Sequence, residues 1–180
     1  MLIAQEKRKT NIAEYILYLW QVEDMLRACK FDKETIELNL VNRFNVEKDR
    51  KSEIAAWYNN LSLMMVNEHL KEKGHLQVIK NLIADLNEFH LKLIITHKDP
   101  EYVQLYRNNC DNIREFILKS GESTENEIEA CLNALYGILL LKLKNTEISD
   151  WTKNTVEQFG KMIARLSARY IQFENDEFEF

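Results

Sequence analysis

The sequence predicts an all-α fold, an antiparallel bundle of about six long helices plus one short helix. Three observations predict it. Apolar residues recur at spacings of three and four in almost every window, the period of one helical face, where a strand would alternate at two. The 180 residues include 4 Gly and 1 Pro, far fewer turn-formers than a β-sandwich or barrel needs. With 46% hydrophobic and 29% charged residues, the chain can bury a full core without staples.

The first helix is expected from about Thr10 to Cys29, with Ile12, Tyr15, Ile16, Leu19, Val22, Leu26 and Cys29 on one face. Asp32 then caps a short helix carrying Ile36, Leu40, Val41 and Phe44. A third helix, from about Glu47 to Lys73, shows Ile54, Trp57, Tyr58, Leu61, Met64 and Met65 and stops at Gly74, where the absence of a Cβ permits a left-handed turn. The fourth spans about His75 to His97. Its positions Leu76, Ile79, Ile83, Leu86, His90, Leu93 and His97 form the three-and-four seam of antiparallel packing.

Asp99 followed by Pro100 marks the start of a fifth helix, because Asp caps free amides while Pro fills a position whose N–H is not needed. Tyr102, Tyr106, Cys110, Ile113 and Ile117 form its stripe, and Gly121 ends it. Thr124 with Glu127 has capping-box spacing and opens a sixth helix through Leu143. This helix is apolar nearly all round from Ile138 to Leu141, the signature of a central, buried helix. The last begins between Thr146 and Ser149, carries Ile148, Trp151, Thr155, Phe159, Met162, Leu166 and Tyr170 on one face, and frays before Asn175. No linker or repeat divides the chain, so residues 1–173 read as one domain followed by an acidic, Phe-containing tail, 174–180.

Charge narrows the partners. The last ten residues hold four acids and no Lys or Arg, so residues 1–170 carry 25 acids against 24 bases. A body so close to neutral offers no basic surface for phosphates, and nucleic acid is not an expected partner. Lys7, Arg8 and Lys9 read as a solvated entry segment. The three cysteines, Cys29, Cys110 and Cys131, are spaced by 81 and 21 residues, which implies no disulfide framework. MLIAQEKRK lacks the order of a secretory signal. The longest apolar run, Ala134 to Leu141, is eight residues against the roughly 20 of a membrane span. A soluble, cytoplasmic protein without a membrane partner is expected.

Recognisable chemistry is scarce. No nucleotide loop, nucleophile elbow or metal-ligand spacing stands out, so no catalytic residue, metal or cofactor is assigned. His90 and His97 are seven apart, about 10.5 Å along a helix, too far to share a zinc. Glu72 and His75 have the Glu-x-x-His spacing of di-iron bundles, but Gly74 interrupts them and no second copy exists. Glu23 is the most informative polar residue, because it lies on the apolar stripe between Leu19 and Leu26, where a carboxylate needs a partner. Arg27, one turn on, is the ordinary choice. The other reading makes Trp20 and Glu23, with one or more of His69, His90 and His97, the lining of an inter-helix pocket.

Aromatics such as Tyr15, Tyr18, Trp57 and Tyr58 fall at helical spacing among aliphatics, which suits core or interface packing better than base stacking. Phe173, Phe178 and Phe180 alternate with acids in a segment too short to bury them by itself. Such an end either docks in a basic, apolar groove of another subunit or protein, or stays solvated.

The stretch QEKRKTNIAEYILYLWQVEDMLR, Gln5 to Arg27, together with the length and the helical pattern, resembles a bacterial domain family of unknown function whose members are about this long. The resemblance implies a small, stand-alone, all-helical cytoplasmic protein and carries over no catalytic or binding residue. The residues themselves favour a non-enzymatic helical-bundle interaction or adaptor protein, self-associating as a homodimer or bound to a protein partner. The alternative is a small-molecule-binding or catalytic bundle with a pocket around Glu23 and a histidine.

Overall fold

The computed structural model describes residues 2–120 and 124–180. Among them are eight α-helices, one 3₁₀ turn and no strand, so the protein is all-α. In chain order the helices are α1 (Leu2–Thr10), α2 (Ile12–Ala28), α3 (Lys33–Asn39), α4 (Lys48–Asn67), α5 (Gln77–Thr96), α6 (Pro100–Ser120), α7 (Glu127–Leu143) and α8 (Asp150–Glu174), with the 3₁₀ turn at Val41–Arg43.

Local chemistry explains most boundaries. The Asp32 carboxylate accepts from the Thr35 amide at 2.8 Å and caps α3, as its position suggests. The entry segment is more ordered than charge alone indicates: α1 occupies Leu2–Thr10 and buries Ala4, and Lys7 pairs with Glu14 at 2.7 Å. Helix α4 ends at Asn67, six residues before the expected Lys73. His69 (φ 59°) makes a left-handed turn there, with the Leu70 amide on the Met65 carbonyl and the His69 amide on the Val66 carbonyl. These two bonds make a Schellman closure without glycine. Gly74 (φ 92°) bends the link to α5.

The α7 cap also sits elsewhere than expected. Asn126, not Thr124, is the N-cap, and its side chain accepts from the Glu129 amide at 2.8 Å while the Glu129 carboxylate accepts from the Glu125 amide at 2.7 Å. The expected stop at Gly121 lies outside the described residues.

The chain forms two compact units. One consists of Glu14–Asn81 with the segment up to Arg8; the other consists of Lys9–Ala13 with Leu82–Phe180. In the first, α3 packs on α4, and Trp20, Leu26, Ile36, Tyr58, Met65, Leu76 and Ile79 are buried. In the second, α6, α7 and α8 pack on one another pairwise around Tyr102, Ile113, Ile128, Leu132, Phe159 and Leu166. Helix α5 joins this bundle through Phe89, 5.5 Å from the Tyr170 ring, and His90, bonded to Tyr102.

Helix α7 is not the fully buried central helix its apolar sequence suggested. Ile128, Ala130, Cys131, Leu132 and Ala134 are buried, but Leu135–Leu140 are only partly covered and Leu141 and Leu143 are exposed. Among the described residues no helix is long and apolar enough to cross a membrane.

Candidate functional site

In the first unit, Glu23 occupies the apolar face of α2 and is 2% exposed. Its partner is not Arg27. One carboxylate oxygen accepts from the Leu76 amide at 2.9 Å, and the other meets His75 Nδ1 at 2.5 Å. Leu76 precedes α5, and its N–H is the group that a capping box satisfies with a Glu three positions into the helix. That position holds Ile79, so Glu23 serves it from α2. Trp20, one turn earlier, stacks on His75 with centroids 4.4 Å apart and planes at 20°. Arg27, one turn later, donates Nε to the Leu70 carbonyl at 3.1 Å, Nη1 to Asp24 at 2.9 Å and Nη2 to the Gly74 carbonyl. Trp20, Glu23 and Arg27 thus project from successive turns of α2 onto the 68–76 link.

His75 is the residue that the sequence reading did not select. His69 and His97, which it did, are exposed at left-handed positions (φ 59° and 54°) closing α4 and α5. Their placement marks helix termini.

In the second unit, buried His90 meets the Tyr102 hydroxyl through Nδ1 at 2.6 Å, and its Nε2 lies 3.5 Å from the Glu127 carboxylate. Burial pushes the Tyr102 hydroxyl far above its ordinary pKa, so it remains a neutral phenol. His90, and then Tyr106, hold the Glu127 carboxyl below its usual range against burial. Burial and the Glu127 carboxylate push Tyr106 up to about 12. The result is a row of polar groups with Tyr102 and His90 sealed from solvent, in which His90 Nε2 faces the Glu127 carboxylate without a hydrogen bond.

Asp99 is the other buried carboxylate, 2% exposed. It caps α6 by accepting from the Tyr102 amide at 3.1 Å and also receives Arg165 Nε at 2.8 Å, Arg165 Nη2 at 3.1 Å and Arg169 Nε at 2.7 Å.

The tail folds back within the second unit. The Asp176 amide bonds the Phe173 carbonyl and the Glu177 amide bonds that of Gln172, closing α8 with Asp176 left-handed (φ 59°). The Phe178 and Phe180 rings then lie 6.1 and 5.1 Å from Phe89, and Phe173 lies 5.3 Å from it. Arg169 stands over Phe178 at 5.4 Å and Lys92 over Phe180 at 5.9 Å. The groove that these aromatics meet is on their own chain. Replacing Phe178 and Phe180 together by Ala is expected to lower stability by about 1–2 kcal/mol, measured by urea unfolding, from the lost aromatic and cation–π contacts.

A family model described as a domain of unknown function, DUF4924, matches residues 1–177. The chain belongs to the DUF4924 family. No curated protein and no solved structure matches it.

Within this DUF4924 chain, the described residues contain no grouping of three His, Cys, Asp or Glu side chains able to hold a metal ion, and Cys29, Cys110 and Cys131 are free thiols. The polar clusters are arranged as internal fasteners: Glu23 and Arg27 hold a link, Asp99 ties α6 to α8, and His90 ties α5 to α6. Unspent surface lies instead at the apolar end of α7, where Leu141, Leu143 and, on α8, Trp151 are 37%, 69% and 58% exposed.

Proposed function

We propose that this protein is a non-enzymatic helical-bundle interaction protein that self-associates as a homodimer through the outer face of α7. The observation that carries the reading is that α7 stays mostly apolar over Leu135–Leu143 while its cover thins beyond Ala134, being partial over Leu135–Leu140 and lost at Leu141 and Leu143. Leu135, Leu139 and Leu143, four apart, form a stripe that starts in the groove beside Val156 of α8 and runs out to the exposed end of the helix. An apolar stripe on a bundle surface is costly in water unless a partner covers it. A second copy suits this one because the flanking charges are of both signs, Lys142 and Lys153 beside Asp150 and Glu157. Two-fold pairing brings opposite charges together and each stripe onto its equivalent.

Sedimentation velocity across a micromolar concentration series tests the reading. The wild type is expected to sediment as a dimer. The double variant Leu139→Glu with Leu143→Glu is expected to weaken association about 100-fold or more, from two lost leucine burials and the charges introduced, without loss of helicity. A wild type that stays monomeric throughout the series rejects the proposal.

A further inference from the structure

Next to that stripe, a cavity of about 220 Å³ lies between α6, α7 and α8, and it shares Ile138 and Val156 with the groove that Leu135 and Leu139 line. Phe116, Ala134, Ile138, Leu141, Trp151 and Phe159 make its walls, and polar side chains contribute little of its surface. Gly137 is part of the lining, and a Cβ built on it meets no atom within 4 Å. A glycine inside a helix is less favourable than Ala, because it has more backbone freedom to lose. Among the described residues, no close packing against Gly137 offsets that cost. The space above the glycine is therefore open volume in the cavity, continuous with three aromatic walls.

We infer that this cavity is a binding site for a neutral aromatic molecule of one or two fused rings. Size sets the upper limit: an apolar cavity of about 150 Å³ accommodates benzene, whereas drug-sized ligands need about 300 Å³ or more. Lining chemistry sets the class. The rings of Phe116, Trp151 and Phe159 offer faces and edges for offset and edge-on stacking. The nearest cation, Lys119, already pairs with Glu115 at 2.5 Å and lies over the Trp151 ring at 5.8 Å. Its charge is thus spent at the rim, and an anionic ligand would gain little from it. This inference goes beyond the self-association reading and rests on other residues, Gly137, Leu141 and the three aromatics, beside the leucine stripe.

Indole is the probe, titrated calorimetrically into the full chain. Wild type is expected to bind one indole saturably with a Kd of about 0.1 mM, ordinary for a ligand of this size. Gly137→Leu fills the open volume and is expected to weaken binding at least about tenfold, with helicity retained and the thermal midpoint equal or higher. Trp151→Ala, a change at a largely exposed wall, serves as the second variant and is expected to weaken binding with little effect on stability. Absence of saturable binding by the wild type overturns the inference, as does unchanged affinity in a folded Gly137→Leu or in Trp151→Ala. If Gly137→Leu instead alters sedimentation and indole does not bind, the cavity faces protein and the small-ligand assignment fails. Indole binding by a monomeric wild type leaves the inference standing and rejects only the dimer.

Discussion

Asp99→Ala is expected to destabilise the second unit by about 3 kcal/mol, the lower end of the range for removing one partner of a buried ion pair. The carboxylate is 2% exposed and accepts four hydrogen bonds, one from the α6 backbone and three from the guanidinium groups of Arg165 and Arg169 on α8. Its loss removes an N-cap, takes away the carboxylate that Arg165 and Arg169 share, and leaves Arg165 with the more exposed Glu101 at 3.0 Å. The Arg side chains are 29% and 27% exposed, so water relieves part of that penalty, which is why the lower end applies.

The pH dependence separates charge from shape. Burial alone would raise the Asp99 carboxyl, but hydrogen bonds from Arg165, Arg169 and the Tyr102 amide outweigh it and hold the group at about 2, against an ordinary 3.8. Because the folded value lies below the unfolded one, the stabilisation is fully present above about pH 4 and is lost as pH falls through 2. Its size is about 2 kcal/mol. Urea unfolding of wild type and Asp99→Asn, at neutral pH and in steps down to about pH 2, should show a large gap that narrows in acid. A gap independent of pH would mean that Asp99 acts as a cap and not as a charge.

What was legible in the sequence follows the range over which each signal acts. The Asp99–Pro100 start and the Asp32 cap depend on residues within one turn, and both stand in the structure. Arg165 and Arg169 lie 66 and 70 positions from Asp99, beyond any local pattern. Thr124–Glu127 and Asn126–Glu129 have the same spacing, and the path of the entering chain selects Asn126, two residues beyond Thr124, as the α7 cap. An all-round apolar segment reads alike whether its own chain covers it wholly or in part, so its sequence marks α7 as central although Leu135–Leu140 are only partly covered.

Glu23 shows the same division. Its place on an apolar stripe signalled burial, but its partner was chosen by the 68–76 link, whose shape depends on the left-handed turns at His69 and Gly74. A scan for histidines on helical faces favours His90 and His97 and passes over His75, which precedes α5.

The second large effect is therefore expected at Glu23. Removing its carboxylate by Glu23→Ala leaves the buried Leu76 amide without its acceptor, leaves His75 held to α2 by its stacking on Trp20 without the Glu23 bond, and opens space beside Trp20. An unsatisfied buried N–H costs about 1–3 kcal/mol, and a lost charge-assisted bond adds to it, so the total should reach about 3 kcal/mol. Arg27→Ala should cost less, because Arg27 binds the link through the Leu70 and Gly74 carbonyls near its surface. Native-state hydrogen exchange locates the damage: the Leu76 amide should lose protection in Glu23→Ala. Glu23→Gln distinguishes fastening from ligand binding. If the carboxylate is there to hold the link, Gln, which keeps an acceptor for the Leu76 amide but turns an N–H toward His75 Nδ1 and makes that nitrogen the acceptor, trades a charge-assisted bond for a neutral one, lowers stability modestly and increases exchange at Leu76. If stability instead rises, the buried charge is a cost to the fold, and its justification has to be a ligand that Glu23 and His75 receive together.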